Sequence, residues 1–157
     1  MNELHVLGIG SPFGDDQLGW DVVKLLQQQP TLSGINPQQL HLEYYDRPGM
    51  HLLKLMVPAQ TVFLIDAVKT NAAIGTLHCF QNEEIENISG TLSTHDFGIA
   101  EVMQMGKALQ LLPQKVVLYG VEIGDSSCQF TLSKPIKQAI KRLSTRIEKD
   151  ILSLLSH

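Results

Sequence analysis

The sequence has 157 residues, of which 43% are hydrophobic and 18% charged, and its net charge is −4. These values predict one globular domain over residues 1–157 and exclude a disordered chain, while the acidic balance argues against a nucleic-acid partner. No apolar run reaches the roughly 18 residues of a membrane span, no signal peptide is recognisable and the two cysteines are isolated, so we expect a cytoplasmic protein.

Apolar runs and helical periodicities alternate along the chain. A short apolar run is typical of a buried strand, whereas apolar residues three and four positions apart predict a helix with one buried face. In chain order we predict a strand at 4–9, a helix from Asp15 or Asp16 to about Pro30, a strand at 40–45, a short helix at 50–56, a strand at 61–67, a strand at 75–80, a helix from Thr94 to about Leu111, a strand at 115–122 and a helix from Ser133 onwards.

This order of elements predicts an α/β fold, a three-layer sandwich with a sheet between helices. Residues 61–67 are apolar on both faces, as in the centre of a mostly parallel sheet. The strand at 75–80 follows after a short connection and is therefore expected to be antiparallel. Ligands in such folds bind outside the C-terminal ends of the parallel strands, which is where candidate site residues are sought.

Glycines lie at the end of the first predicted strand and in the turn after it, at positions 8, 10 and 14. A glycine-rich turn here can bind a dinucleotide, but Asp15 and Asp16 would repel a pyrophosphate at the helix N-terminus. We therefore expect no nucleotide. Either carboxylate can instead cap the helix, and capping is favoured for Asp15 more than for Asp16. Because one cap is sufficient, a second carboxylate at this turn suits a ligand.

Two further polar side chains stand out. Asp66 ends an otherwise apolar strand, where a carboxylate either serves a ligand or accepts hydrogen bonds from a turn. His95 lies one residue into the helix predicted from Thr94, where the positive helix end favours a neutral imidazole that can bind a metal; a surface histidine is the alternative. The other histidines are interpreted as structural or solvated, namely His5, His41, His51, His78 and His157.

If these elements share one edge of the sheet, Asp16, Asp66 and His95 converge. Two carboxylates and one imidazole suit a divalent metal such as zinc, nickel or iron, and the sequence alone does not choose among them. No cysteine lies in these loops, which argues against a permanent structural metal. Cys128 lies in a later loop. Its two possible roles are a further metal ligand and a small buried residue.

Three sequence blocks in the right order resemble the nickel-iron hydrogenase maturation endopeptidase family. They are the glycine-rich turn at 8–19, the strand at 62–68 with Ile74-Gly75, and residues 93–98; the match continues through 112–122. The resemblance implies a twisted five-stranded, mostly parallel sheet flanked by helices on both faces. It also implies an endopeptidase that removes the C-terminal extension of a hydrogenase large-subunit precursor after nickel insertion.

In that family the precursor supplies the nickel, and the resemblance assigns the metal-contacting and catalytic positions to Asp16, Asp66 and His95. Ser11 departs from the asparagine that the family usually has. Nickel can polarise the scissile carbonyl or activate a water, or an aspartate can be the general base while nickel is only a recognition mark. The alternative function is a non-catalytic nickel-recognising chaperone. We expect a monomer whose loops at 46–50 and 81–93 flank the site and contact the precursor.

Overall fold

The computed structural model describes residues 3–88, 98–124 and 132–156. A 3₁₀ turn over Gly14–Gln17 joins the first strand to the first helix. The strands and helices in these ranges are β1 (Leu4–Gly10), α1 (Leu18–Gln27), α2 (Pro30–Ser33), β2 (Leu40–Asp46), α3 (His51–Met56), β3 (Thr61–Val68), β4 (Leu77–Gln81), α4 (Glu83–Glu86), α5 (Ile99–Ala108), β5 (Lys115–Glu122) and α6 (Lys134–Leu155). None of these helices is long and apolar enough to cross a membrane.

The five strands form one sheet in the order β2-β1-β3-β5-β4. Neighbouring strands are parallel except that β4 runs antiparallel to β5, as its short connection predicted. The chain moves from β1 outward to β2 and then returns to place β3 on the other side of β1. The C-terminal ends of β1 and β3 therefore form the switch point at which ligands bind in such sheets.

Helices cover both faces of the sheet, which confirms the three-layer sandwich. Leu4 and Val6 of β1 pack in one apolar cluster with α1 and α6, whereas Leu7 and Ile9 pack in a second cluster with α3 and α5. This alternation is the two-residue period of a strand that is buried on both faces. Every residue of β3 is buried, as expected for a central strand.

The helix predicted from Thr94 has a different start. In the structure α5 begins at Ile99, and its N-cap Gly98 has extended backbone angles (φ −71°, ψ 167°) that interrupt any helix arriving from the N-terminal side. The helix ends at Ala108, before the predicted Leu111, because Gln110 adopts a positive φ of 58°. Thr94 itself lies outside the described residues.

Candidate functional site

The turn after β1 packs directly on the ends of two strands. A Cβ atom added at Gly10 would lie 2.1 Å from the backbone oxygen of Asp16, and one at Gly19 would lie 2.5 Å from the oxygen of Ile9 and 2.6 Å from that of Ile65. No side chain fits in these gaps. Glycine is therefore required at both positions for the backbones to approach this closely. The close approach places the turn that carries Asp16 against β1 and β3.

Asp66 is the most buried carboxylate of this edge, with 1% of its surface exposed. Its Oδ1 accepts a hydrogen bond of 2.8 Å from the backbone N–H of Ala67. Its Oδ2 is also buried, and no residue in the described part of the chain donates a hydrogen bond to it. A buried polar atom without a partner is rare and costs about 1–3 kcal/mol, so among the described residues this oxygen is a candidate ligand atom.

The environment of Asp66 disfavours its negative charge. Burial raises the pKa of Asp66 well above the usual aspartate value, the hydrogen bond from Ala67 opposes this rise, and the charge of Asp16 adds to it. The turn that carries Asp16 packs on the C-terminal ends of β1 and β3, so Asp16 and Asp66 lie at the same edge of the sheet. A cation placed between two such carboxylates would relieve both the burial and the repulsion.

The two adjacent aspartates have separate roles. The carboxylate of Asp15 accepts hydrogen bonds from the backbone N–H of Ser133 at 2.9 Å and from its hydroxyl at 3.0 Å. Ser133 is the N-cap residue of α6, so the Asp15 carboxylate binds the start of that distant helix and does not cap α1. Asp16 is half-buried, and its Oδ2 lies 3.5 Å from the Ser11 hydroxyl, the limit of a hydrogen bond.

His95 and Cys128 lie outside the described residues, so the structure does not test their assignment. The prediction placed His95 one residue into this helix, whereas α5 starts at Ile99, four residues later in the sequence. Since α5 ends a short loop before the start of β5, its N-terminal end points to the C-terminal edge of the parallel strands.

A second polar cluster at the same end of the sheet was not predicted. Glu122 ends β5 and is 2% exposed, and it accepts hydrogen bonds from the N–H of Thr70 at 2.7 Å, from its hydroxyl at 2.5 Å and from His78 at 3.0 Å. Burial raises the pKa of Glu122, but these hydrogen bonds outweigh burial and hold the pKa below its usual value. The criterion that identified Asp66, a carboxylate ending an apolar strand, would also have found Glu122.

The two loops expected to flank the site differ in position. Residues 46–50 follow β2 at the site edge, where the N–H of Arg47 donates to the oxygen of Gly10 at 2.9 Å and the guanidinium lies 5.9 Å from the ring centre of Phe13. The prediction for 81–93 is wrong for its described part. Because β4 is antiparallel, Gln81 pairs with Val117 near the start of β5, and residues 81–88 therefore leave from the opposite edge.

Comparisons with known proteins agree on one family. A family model described as hydrogenase maturation protease matches residues 47–150. The chain is 29% identical over 120 residues to the hydrogenase 2 maturation protease of Escherichia coli, covering 74% of this chain and 70% of that protein. It is 26% identical to the hydrogenase expression/formation protein HupM of Azotobacter chroococcum over 74% of this chain, and spans only 56% of that relative's length.

Solved structures share the fold. The hydrogenase maturating endopeptidase HybD from Escherichia coli superposes with a TM-score of 0.80 at 24% identity, over 92% of this chain and 89% of that chain. The [NiFe] hydrogenase maturation protease HycI from Thermococcus kodakarensis gives 0.74 at 22% identity, over 97% and 93% of the two chains. These similarities confirm the α/β architecture derived above.

Proposed function

Because the chain belongs to the hydrogenase maturation protease family, we propose that it is an endopeptidase that removes the C-terminal extension of a nickel-iron hydrogenase large-subunit precursor after nickel insertion. In this proposal the precursor brings the nickel as part of the substrate, and the enzyme recognises it through Asp16, Asp66 and His95. The reaction takes place in the cytoplasm. The enzyme needs no nucleotide.

One observation carries the proposal, namely the buried Asp66 whose Oδ2 has no partner among the described residues. A carboxylate is seldom buried with an oxygen that lacks a hydrogen-bond partner unless that oxygen binds a ligand. Asp16 adds a second negative charge near it. Carboxylates and imidazole are donors that nickel accepts. His95 precedes the end of α5 that points to this edge, which supports its assignment as the third contact.

Peptide hydrolysis requires a water to attack the scissile carbonyl, after which the C–N bond breaks and the leaving nitrogen receives a proton. The raised pKa of Asp66 suits a group that accepts the water's proton and then gives it up. Asp16, which is more exposed than Asp66, is the alternative general base. Bound nickel would polarise the carbonyl or lower the pKa of the water, so either route uses the same residues.

Residues 46–50 support a role in holding the precursor. They lie beside the turn that carries Asp16, and Arg47 covers the ring of Phe13, which is 45% exposed. An exposed aromatic ring next to a charged loop is a typical protein contact surface. We assign this loop, and not residues 81–88, to contact with the precursor on this edge.

The test is a cleavage assay that follows the mass of the precursor with and without nickel. Asp66→Asn, Asp16→Asn and His95→Gln should each slow cleavage by about 100-fold or more, the usual loss for a missing acid-base group. Asp150→Asn is the matched control, because it makes the same chemical change where the Tyr119 hydroxyl can still donate to the new amide.

Three results would contradict the proposal. Equal cleavage of nickel-loaded and nickel-free precursor would remove nickel recognition. A normal rate for Asp66→Asn would remove its catalytic role. Tight binding of nickel-loaded precursor without any cleavage by the wild-type chain would favour the alternative of a maturation chaperone.

A further inference from the structure

We propose that Glu3, His5 and His41 form a second cation site, which binds a borderline divalent ion of the zinc type at the edge of the sheet where β1 and β2 begin. This edge is opposite the one that carries Asp66. The inference does not depend on the proposed protease function. It changes the interpretation of His5 and His41, which their sequence positions alone present as structural or solvated histidines.

The strand geometry brings the three side chains together. Glu3 and His5 are two residues apart, so they project from the same face of the strand that starts at Leu4. His41 is the register partner of His5 in the parallel pair of β1 and β2. Backbone pairing therefore holds all three on one face, without any contribution from a flexible loop.

The ligand atoms already have the spacing of a metal site. The Nε2 atoms of His5 and His41 lie 3.2 and 3.1 Å from the same carboxylate oxygen, Oε1 of Glu3. One ligand atom from each residue lies within 4.8 Å of the other two. Zinc–ligand bonds of about 2.0–2.2 Å in a tetrahedron place ligand atoms roughly 3.3–3.5 Å apart. The two nitrogen–oxygen distances are therefore within a few tenths of an ångström of those in a zinc site.

Hydrogen bonding leaves this cluster incomplete. His5 makes a hydrogen bond to Glu3, but the Nε2 atom of His41 is buried and has no hydrogen-bond partner among the described residues, although the same carboxylate oxygen is near. In this arrangement Oε1 of Glu3 forms a hydrogen bond with the ring of His5 and none with the ring of His41. The two imidazole rings are stacked, with centroids 4.2 Å apart, and both face the carboxylate of Glu3. A cation between these three groups would bind both ring nitrogens and the carboxylate.

The donor set selects the class of ion. Two imidazoles and one carboxylate suit zinc and similar borderline divalent ions, whereas calcium and magnesium prefer oxygen ligands. The side chains of Glu3 and His41 are 35% and 31% exposed, so water can reach the remaining coordination position. Such an ion would fasten the start of the edge strand β2 to the central part of the sheet.

The experiment uses the full chain carrying Asp66→Asn, which weakens cation binding at the opposite edge. Zinc is titrated by equilibrium dialysis while NMR follows the histidine rings. We expect about one bound zinc, with the signals of His5 and His41 moving together. Adding His41→Gln should weaken binding at least 100-fold, since even residues that only orient a ligand contribute 10–100-fold. His51→Gln, at an exposed histidine of α3, should bind as tightly as its parent.

A melting curve without zinc checks that each variant is folded, and Glu3→Gln provides a second ligand change if His41→Gln unfolds. Zinc should raise the melting temperature of the parent and of the His51 variant but not of the ligand variants. Binding that is unchanged by both ligand substitutions would overturn the proposal. Binding seen only at millimolar zinc, or ring signals of His5 and His41 that do not move, would overturn it as well.

Discussion

Replacing Asp66 by asparagine should make the protein more stable while it slows cleavage by about 100-fold or more. The carboxylate is 1% exposed, makes one hydrogen bond within the described parts of the chain and lies near the negative charge of Asp16. Asparagine keeps the shape and the Oδ1 acceptor for Ala67 but carries no charge. The substitution therefore removes the electrostatic cost of this position without opening a cavity.

Two opposing contributions set the change in the free energy of unfolding. Removing a buried charge stabilises the folded protein by several kcal/mol. The new amide offsets about 1–3 kcal/mol of this, because its N–H groups have no acceptor among the described residues. We expect the free energy of unfolding at pH 7 to rise by about 1–2 kcal/mol. For a chain of this size that is an increase of about 2–8 °C in melting temperature.

The pH dependence distinguishes this explanation from a general packing effect. Because the folded pKa of Asp66 is raised above its usual value of 3.8, its contribution to stability is fully present below that value and is lost as the pH rises through the folded pKa. The asparagine variant has no such loss. Its advantage over the wild type should be smallest near pH 4 and should grow as the pH increases.

Thermal unfolding of metal-free protein between pH 4 and 8 measures this difference. Asp46→Asn is the control, because Asp46 is exposed and forms a surface ion pair with Arg47. Such pairs contribute about 0–1 kcal/mol, so this variant should be unchanged or slightly less stable. An Asp66→Asn variant that is less stable than the wild type at pH 7, by an amount independent of pH, would refute the reasoning.

Three further predictions follow from the described contacts. Asp15→Ala should lower the free energy of unfolding by about 1–2 kcal/mol in urea because it removes both hydrogen bonds to Ser133 at the start of α6, and cleavage should persist at low temperature. Gly19→Ala should cost about 3 kcal/mol or more and impair cleavage, since its Cβ would contact backbone oxygens at 2.5 and 2.6 Å; Gly34→Ala, with no atom within 4 Å, should be neutral. Glu122→Gln should lower stability at pH 7 by about 1.5–3 kcal/mol; because the folded pKa of Glu122 is lowered, this loss should shrink as the pH falls below 4.5, and a constant loss would contradict the assignment.

The sequence predicted the sheet well because its signals are local. The strands at 61–67 and 115–122 are continuous apolar runs, and the structure places β3 and β5 over Thr61–Val68 and Lys115–Glu122. Asp66 was identified for the same reason, as a charge that ends such a run. Residues whose role depends on their own neighbours in sequence can be recognised from sequence.

Roles that depend on distant partners were missed. The partner of Asp15 is Ser133, far along the chain, so no local pattern distinguishes a cap of its own helix from a cap of α6. The convergence of His5 and His41 depends on strand register, which the sequence does not specify. The loop after β4 was misplaced for another reason. An antiparallel strand ends at the opposite edge of the sheet, so the correct position of this loop could have been deduced from the predicted direction of β4.

The close glycine contacts hold Asp16 and Asp66 at the same edge of the sheet. Backbone atoms can approach as closely as they do at Gly10 only without side chains, and this approach holds the turn with Asp16 against the strands that carry Asp66. The fold thus holds two carboxylates together at an electrostatic cost that the hydrogen bond from Ala67 only partly offsets. A cation that arrives with the substrate would remove this cost, so binding energy would come from the metal centre of the precursor and not from its peptide alone. Under the proposed function, a nickel-free precursor would meet two repelling acids, and discrimination against it would follow from the electrostatics of the enzyme.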